Sequence, residues 1–311
     1  MKAIVLTDFG PVENLQLKGI PDPDINDGEV LIRVKAISIN PVDAKTRLGR
    51  GQAPNVKAFD PMILGWDVSG IVVDSKSQLF KIGDEVFGMV NFPGHGRGYA
   101  EYVAAPADQL ALKPANVSHQ EAAAATLAAL TAWQGLAHHS DLKKGQRVLI
   151  HAAAGGVGHY AVQMAKYLGA YVIGTSSADN KEFVLSLGAD EHFDYHSGPF
   201  EEAISNIDLV WDPIGNDNID RSLKVMKKGG TIISLPFGAN DLVAEKAAEK
   251  GIKGLRFYVA SDGDDMKRIA ALLEQGDVIS FVSRTFAFDD MAGAHLAIES
   301  GKTKGKIIVN V

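Results

Sequence analysis

The stretch Arg147–Gly169, RVLIHAAAGGVGHYAVQMAKYLG, constrains this chain more than any other. Val148 to Ile150 form an apolar run of the length and composition of a buried parallel strand. The chain then turns through Gly155, Gly156 and Gly158. It continues with Val157, Ala161, Met164, Ala165 and Leu168 at helical spacing, and Gly169 fits a helix C-cap. Strand, glycine turn and helix N-terminus together gather free backbone N–H groups and the positive end of the helix dipole, which makes an anion site. Aligned on G-x-G-x-x-G, residues 153–158 read A-A-G-G-V-G, with Ala153 at the first glycine position and Gly155 and Gly158 at the second and third. The turn Ala154, Gly155, Gly156, Val157, Gly158 is therefore expected to hold the diphosphate of a dinucleotide; the bland alternative is a glycine turn without a ligand.

The segments around it set the fold class. Ala170–Gly174, a helix over 179–187, Glu191–Asp194, Leu209–Asp212, a helix near Ile219–Met226 and Thr231–Leu235 alternate strand with helix, the pattern of a doubly wound parallel sheet. Gly251–Val259 would add a sixth strand, whose GLRFYV edge is a pairing hazard unless covered. Before residue 117 the reading differs: Ala3–Leu6, Val30–Ile39, Val68–Val73, Glu85–Val90 and Tyr99–Ala104 are short strands between turn signals, which suggests a small, partly open β-barrel. Phe92–Gly98, with Gly94, Gly96 and Gly98, is expected to be a mobile loop. Ser118 and Glu121 form a capping box that opens an Ala-rich helix to about His139. The tail gives two amphipathic helices, Asp264–Gln275 and Asp289–Ser300, around strand-like Ile279–Phe288, and Lys306–Val311 ends the chain. A length of 311 residues suits two domains that share a cleft.

Composition excludes several classes. There is no cysteine, so disulfides, thiolate zinc sites, iron–sulfur ligation and a cysteine nucleophile all fall away. The net charge of −7, without a basic run, argues against a nucleic-acid partner. No signal-like core precedes Asp8 and no run approaches the eighteen apolar residues of a membrane span, so a cytoplasmic protein is expected.

The tip of the second strand speaks to the cofactor. NAD-specific sheets usually carry a carboxylate roughly 20 residues after the first glycine, on the ribose 2′-hydroxyl. Here the chain reads Gly174, Thr175, Ser176, Ser177, Ala178. Small hydroxyls leave room for a 2′-phosphate, and Lys181 is placed to neutralise it, although Asp179 could pair with that lysine instead. NADPH is the expected cofactor.

The motifs NPVD (Asn40–Asp43), LGWDVSG (Leu64–Gly70), KIGDEVFG (Lys81–Gly88), AALTAW (Ala128–Trp133) and AAAGGVG (Ala152–Gly158), in this order, resemble the medium-chain dehydrogenase/reductase superfamily, in its zinc-free, zeta-crystallin-like quinone oxidoreductase branch. The resemblance covers essentially the whole chain. It implies an α/β protein with a GroES-like catalytic domain of residues 1–117, completed by 260–311, around a Rossmann NADPH-binding domain of residues 118–259. By motif position it implies that Thr131 contacts the nicotinamide end and that Ser176, Ser177 and Lys181 form the phosphate pocket with Tyr195 nearby. Leu235 to Phe237 would lie along the nicotinamide ribose. A tyrosine that many relatives carry after NPVD is missing here, where the chain reads Leu48, Gly49, Arg50. Zinc-dependent relatives use a cysteine and a Gly-His-Glu segment where this chain has NPVD and Gly65-Trp66-Asp67, so no metal is expected. His151 reads as a satisfied core residue more than as a ligand.

Without a metal to polarise a carbonyl, a term worth several kcal/mol, the acceptor must itself be electrophilic: a quinone or an α,β-unsaturated carbonyl. The expected activity is hydride transfer from NADPH to such an acceptor. Asn40 and Asp43 are the candidate catalytic pair, as donor and orienting group, against the alternative of a plain Asx-Pro turn in which Asp43 caps a short helix. Asp43, taken as exposed, would be ionised at neutral pH and a poor acid, leaving the proton to water. Trp66 and Phe92 are either apolar walls or core. An NADPH-binding sensor without turnover and an alcohol-type dehydrogenase are the competing readings. Relatives cover the GLRFYV edge by joining two Rossmann sheets, which implies a homodimer.

Overall fold

The computed structural model describes residues 1–236 and 238–311. In its first part, strands β1 (Lys2–Leu6), β2 (Leu15–Gly19), β3 (Glu29–Ile39), β4 (Asp67–Ser75), β5 (Glu85–Met89), β6 (Tyr102–Pro106) and β7 (Leu110–Leu112) are joined by short connections carrying helices α1 (Pro41–Arg47) and α2 (Ala53–Val56). Helices α3 (His119–Ala124) and α4 (Leu127–Trp133) follow. Strands β8 (Arg147–Ile150), β9 (Tyr171–Ser176), β10 (Glu191–Asp194), β11 (Ile207–Asp212), β12 (Met226–Ser234) and β13 (Lys253–Arg256) then alternate with α5 (Gly158–Tyr167), α6 (Lys181–Ser186), α7 (Phe200–Ala203), α8 (Asp217–Val225) and α9 (Val243–Ala248). Helix α10 (Gly263–Gln275), β14 (Val282–Ala287), α11 (Met291–Glu299) and β15 (Lys306–Asn310) complete the chain.

Two compact units result, Met1–Leu130 with Ala260–Val311, and Thr131–Val259. The first is built on a sheet ordered β14-β15-β3-β4-β5-β7 with β6 also on β3. Its organiser is β3, eleven residues long and bulged between Leu31 and Ile32 and between Val34 and Ala36. Bulges bend a strand and raise its twist. The first half of β3 therefore pairs with β6 and the last four residues pair with β15, while β4 runs along its other side. Val30, Ile32, Val34 and Ala36 are all buried, as the alternation predicts.

The boundary expected at 117/118 falls instead at 130/131. Helix α3 belongs to the first unit because its alanines let it close on the sheet: Ala123 and Ala124 pack against Ala36 of β3 and Ile308 of β15. His119 ties the same helix down through Ser69 Oγ (2.8 Å) and Glu85 Oε1 (3.3 Å). The Ala-rich helix also does not run unbroken to His139. It breaks after Ala124, where the Thr126 hydroxyl donates to the Ala123 carbonyl (2.8 Å), a local bond that competes with the helix ladder. It resumes as α4 and widens into a π-helical turn over Gln134–His139, where Gly135 lies against the Trp211 ring.

The Phe92–Gly98 segment is held, not loose. Trp66 Nε1 donates to the Gly94 carbonyl (2.9 Å), and the Gly98 N–H donates to the Gly65 carbonyl (2.9 Å). Phe92 and Ser261 exchange two hydrogen bonds, at 2.8 and 3.0 Å. A Cβ at Gly96 would strike the Gly65 carbonyl and the Trp66 ring. Here glycine serves close backbone approach rather than mobility.

The second unit is a parallel six-stranded sheet, ordered β10-β9-β8-β11-β12-β13. Numbered within the unit this is 3-2-1-4-5-6, the Rossmann order, and the strand order reverses between β8 and β11. Leu149, Ile173, Val210, Ile232, Ile219 and Leu223 meet in its core. The sixth strand is shorter than expected, only Lys253–Arg256, because Phe257 turns into the core while Tyr258 stays exposed.

Replacing Gly96 by Ala should lower the unfolding free energy by about 1–3 kcal/mol, the usual cost of overpacking. Urea unfolding checks this, and an unchanged midpoint would mean that the loop is free to give way.

Candidate active site

The glycine turn is built as the fingerprint demands. Ala152, at the tip of β8, adopts a left-handed backbone (φ 49°), and its carbonyl accepts from the Gly155 N–H at 2.9 Å. A Cβ on Gly158 would meet the Ala152 carbonyl and the Ala153 backbone, so α5 approaches the strand only because that residue is glycine. The N–H groups of Ala154, Gly156 and Val157 donate to no acceptor among the described residues and stand at the N-terminus of α5. Free donors and an aligned helix dipole are what a dinucleotide diphosphate needs, so these residues fit that group.

The turn sits beside the tip of β9, since the Ala153 N–H donates to the Thr175 carbonyl (2.9 Å). There the structure gathers Ser176 and Ser177, with exposed Lys181 opening α6. Tyr195 follows β10, its N–H on the Ser176 carbonyl (3.3 Å), its ring exposed and tilted by 48° against His196 with centroids 4.2 Å apart. His192 on β10 also joins this group, with Nε2 2.8 Å from Ser176 Oγ. The sequence gives no periodic signal for it, because only strand register brings it there.

Other expected contacts stand on the same unit. Thr131 is buried in α4, and Leu235 directly follows β12, its N–H on the Asp212 carbonyl (2.9 Å). Phe237 lies outside the described residues. Buried Asp212, which the sequence did not single out, shapes the turn after β11 by accepting from Ile214, Gly215, Asn218 and Ser234. His151 is a satisfied core residue, bonded to Thr175 Oγ1 (3.1 Å) and Ser222 Oγ (3.0 Å), and burial pulls it down to about 4.

Asn40 and Asp43 belong to the first unit and lie in a buried polar network. Register builds it: Ser38 of β3 pairs with Asp67 of β4, and Ile39 pairs with Ile307 of β15, which brings Asn40, Asp67 and Lys306 to one place. Asn40 Nδ2 donates to Asp67 Oδ2 (2.7 Å), and Lys306 Nζ donates to Asn40 Oδ1. The amide orientation is fixed by chemistry, since an ammonium only donates and a carboxylate only accepts. The second Nδ2 hydrogen has only the Ser38 carbonyl, at 3.5 Å. Asp43 accepts from the Asn40 N–H (2.6 Å) through Oδ2 and so caps α1, while its Oδ1 lacks a partner of good geometry.

Asp43 is not the exposed, ionised carboxyl expected from sequence. It is fully buried, and that burial, with some help from the Asp67 charge, pushes its pKa up to about 8 against the opposing Asn40 N–H. Burial also raises Asp67 and lowers Lys306, while the two opposite charges favour each other. With two carboxyls and one ammonium enclosed, a proton on Asp43 leaves Asp67 and Lys306 in balance. Next to them, Arg47 donates through Nε to His295 Nδ1 (3.3 Å) and pairs with Glu299 (2.7 Å), and His295 Nε2 meets the Tyr99 hydroxyl (3.0 Å). Trp66 is fully buried, hence core, with Phe92 edge-on at 5.3 Å. Neither Trp66, an indole donor, nor the engaged Asn40 amide is suited to ligate a metal. No group of three His, Cys, Asp or Glu that could hold one occurs among the described residues.

Residues 26–115 match the alcohol dehydrogenase GroES-like domain, and residues 187–309 match the family described as zinc-binding dehydrogenase. The chain is 35% identical to a 2-methylene-furan-3-one reductase of Solanum lycopersicum over 100% of its length and 79% of that protein. It is 36% identical to a chloroplastic NADPH-dependent alkenal/one oxidoreductase of Arabidopsis thaliana, over 99% of this chain and 79% of that one. The structure of the quinone oxidoreductase from Coxiella burnetii superposes with a TM-score of 0.95 at 37% identity, covering 100% of this chain and 99% of that one. The chain belongs to the medium-chain dehydrogenase/reductase superfamily, in its quinone oxidoreductase branch. It is an oxidoreductase whose second unit is a nicotinamide-cofactor fold.

The proton on Asp43 has a measurable signature. Its pKa is about 8 folded and about 3.9 unfolded, so the folded state binds the extra proton between those values. Its contribution to stability is therefore full below about pH 4 and declines as pH rises to about 8. Asp43→Asn keeps an acceptor for the Asn40 N–H but cannot titrate. The stability of the parent relative to this variant should shrink steadily over that window in urea titrations; a constant difference would show that Asp43 is ionised throughout.

Proposed function

We propose that this protein reduces quinones or α,β-unsaturated carbonyls with NADPH, without a metal. The observation that carries the cofactor choice is the tip of β9, where Ser176 and Ser177 stand in place of a carboxylate and Lys181 opens the next helix. A carboxylate there would repel a 2′-phosphate, whereas two hydroxyls and an ammonium attract it. The names of the Arabidopsis and tomato relatives support the acceptor class.

When bound, NADPH supplies a hydride from its nicotinamide C4. The backbone of Ala154, Gly155, Gly156, Val157 and Gly158 holds the diphosphate, and Ser176, Ser177, Lys181 and Tyr195 hold the adenosine end. Thr131 and Leu235 line the nicotinamide end. Asn40 donates its second amide hydrogen to the acceptor oxygen, where negative charge develops as the conjugated bond is reduced. One donor placed in this way contributes about 10²–10³-fold in rate. Asp67 and Lys306 lock that amide from both sides, and Asp43 fixes its backbone, so the donor needs little reorganisation. The proton that completes the product comes from water.

Following NADPH absorbance with a panel of acceptors tests the reading. Quinones and enones should be turned over, and simple ketones should be at least about 10²-fold slower, because conjugation lowers the barrier that a metal would otherwise lower. Tight NADPH binding with no oxidation by any acceptor would leave a sensor rather than an enzyme.

We further propose a cytoplasmic homodimer joined at β13. That strand is an unpaired sheet edge next to exposed Tyr258 and Leu242, and edges of this kind are normally covered. Light scattering should give twice the 33.1 kDa chain mass, and a monomer at micromolar concentration would rule the dimer out.

A further inference from the structure

His192 belongs to none of the motifs that define the cofactor site, yet it stands inside it. Register sets it opposite Gly174 of β9, with Asp194 opposite Ser176. The Ser176 hydroxyl donates to the Ser177 carbonyl (3.2 Å), which leaves its oxygen to accept from His192 Nε2–H at 2.8 Å. Nδ1 of the same ring has no hydrogen-bond partner among the described residues. The charged groups that face the ring are Lys181 from α6 and Asp194 on its own strand, while β9 offers only the Ser176 hydroxyl. Burial and Lys181 hold the imidazole below its ordinary value against the opposing Asp194, so it is neutral at pH 7 without a ligand.

A 2′-phosphate brings about −1.5 to −2 charges to this place. Lys181 balances one of them. A neutral imidazole beside the remainder would turn a bare lone pair towards an anion, whereas a protonated one offers a second donor and a second positive charge.

We propose that His192 is a second reader of the adenosine 2′-phosphate: anchored on Ser176 beside Lys181, it takes up a proton when NADPH binds and takes up none when NADH binds. The inference rests on reading the β9 tip as the 2′-phosphate site, and it adds a protonation step to cofactor choice. Lys181 supplies permanent charge, and His192 supplies charge on demand. Preference for NADPH over NADH therefore weakens as pH rises.

Calorimetric titration of NADPH and of NADH at pH 7.5, in two buffers of different ionisation enthalpy, tests it on the whole protein. The 2′-phosphate ionises near 6, so at pH 7.5 it is almost entirely a dianion with no proton to give up. A cation beside it lowers its proton affinity further, so uptake on binding belongs to the protein. The expected result is uptake of about half to one proton per NADPH and none per NADH. His192→Gln keeps an amide donor for Ser176; it should abolish the uptake and weaken NADPH binding about tenfold at pH 6, with little loss at pH 9 and none for NADH. No uptake by the parent protein, uptake that persists in His192→Gln, or equal loss of both cofactors would each overturn the proposal. Lys181→Ala separates the two layers. A selective rise in the NADPH Michaelis constant supports the phosphate site, so that a silent His192→Gln then refutes the histidine alone. An equal effect on both cofactors refutes the site reading and the histidine with it.

Discussion

Between Lys306 and Asp67 lies the side-chain amide of Asn40, accepting from one and donating to the other. All three groups are buried, and a buried ion is tolerated only when its partners are complete. Removing the amide would leave an ammonium and a carboxylate enclosed without the bridge that joins them. The arrangement draws together the end of β3, the start of β4 and the start of β15, so the chain's last strand helps to define what its fortieth residue can do. The same buried charges explain why Asp43 holds a proton, since a third unbalanced charge in that space would be costlier than a neutral acid.

The second unit uses a different device. Its strands are parallel, so every strand points its C-terminal end the same way, and the loops there collect residues far apart in sequence. The glycine turn after β8, the serines at β9, His192 and Tyr195 around β10, and the Asp212 turn after β11 all result from that single polarity. On the proposed reading, backbone donors serve the diphosphate, where shape matters most, and side chains serve the adenosine end, where one phosphate distinguishes two otherwise identical cofactors.

Much of this was readable in advance, for reasons that can be named. The Arg147–Gly169 pattern works at short range: a strand, a turn that only glycine fits and an amphipathic helix are local, and local rules are written in consecutive residues. The absence of an acid at Ser176–Ser177 is local as well. What misled was context. Three glycines in Phe92–Gly98 look like flexibility until Trp66 and Gly65 are found packed on them. A run of alanines looks like one helix until Thr126 turns its hydroxyl onto Ala123. NPVD looks like an exposed turn until β15 closes over it.

The sequence by itself determined the two fold types, the glycine turn and the residue types at the β9 tip, because each depends on neighbours within about one supersecondary unit. Only the tertiary structure decided the charge states and the company of the polar side chains. Lys306 meets Asn40 across 266 residues, Arg47 meets His295 across 248, and His192 meets Ser176 through a strand register. Burial and pairing set a proton's affinity, and both are properties of what surrounds a group in space, which no local pattern encodes.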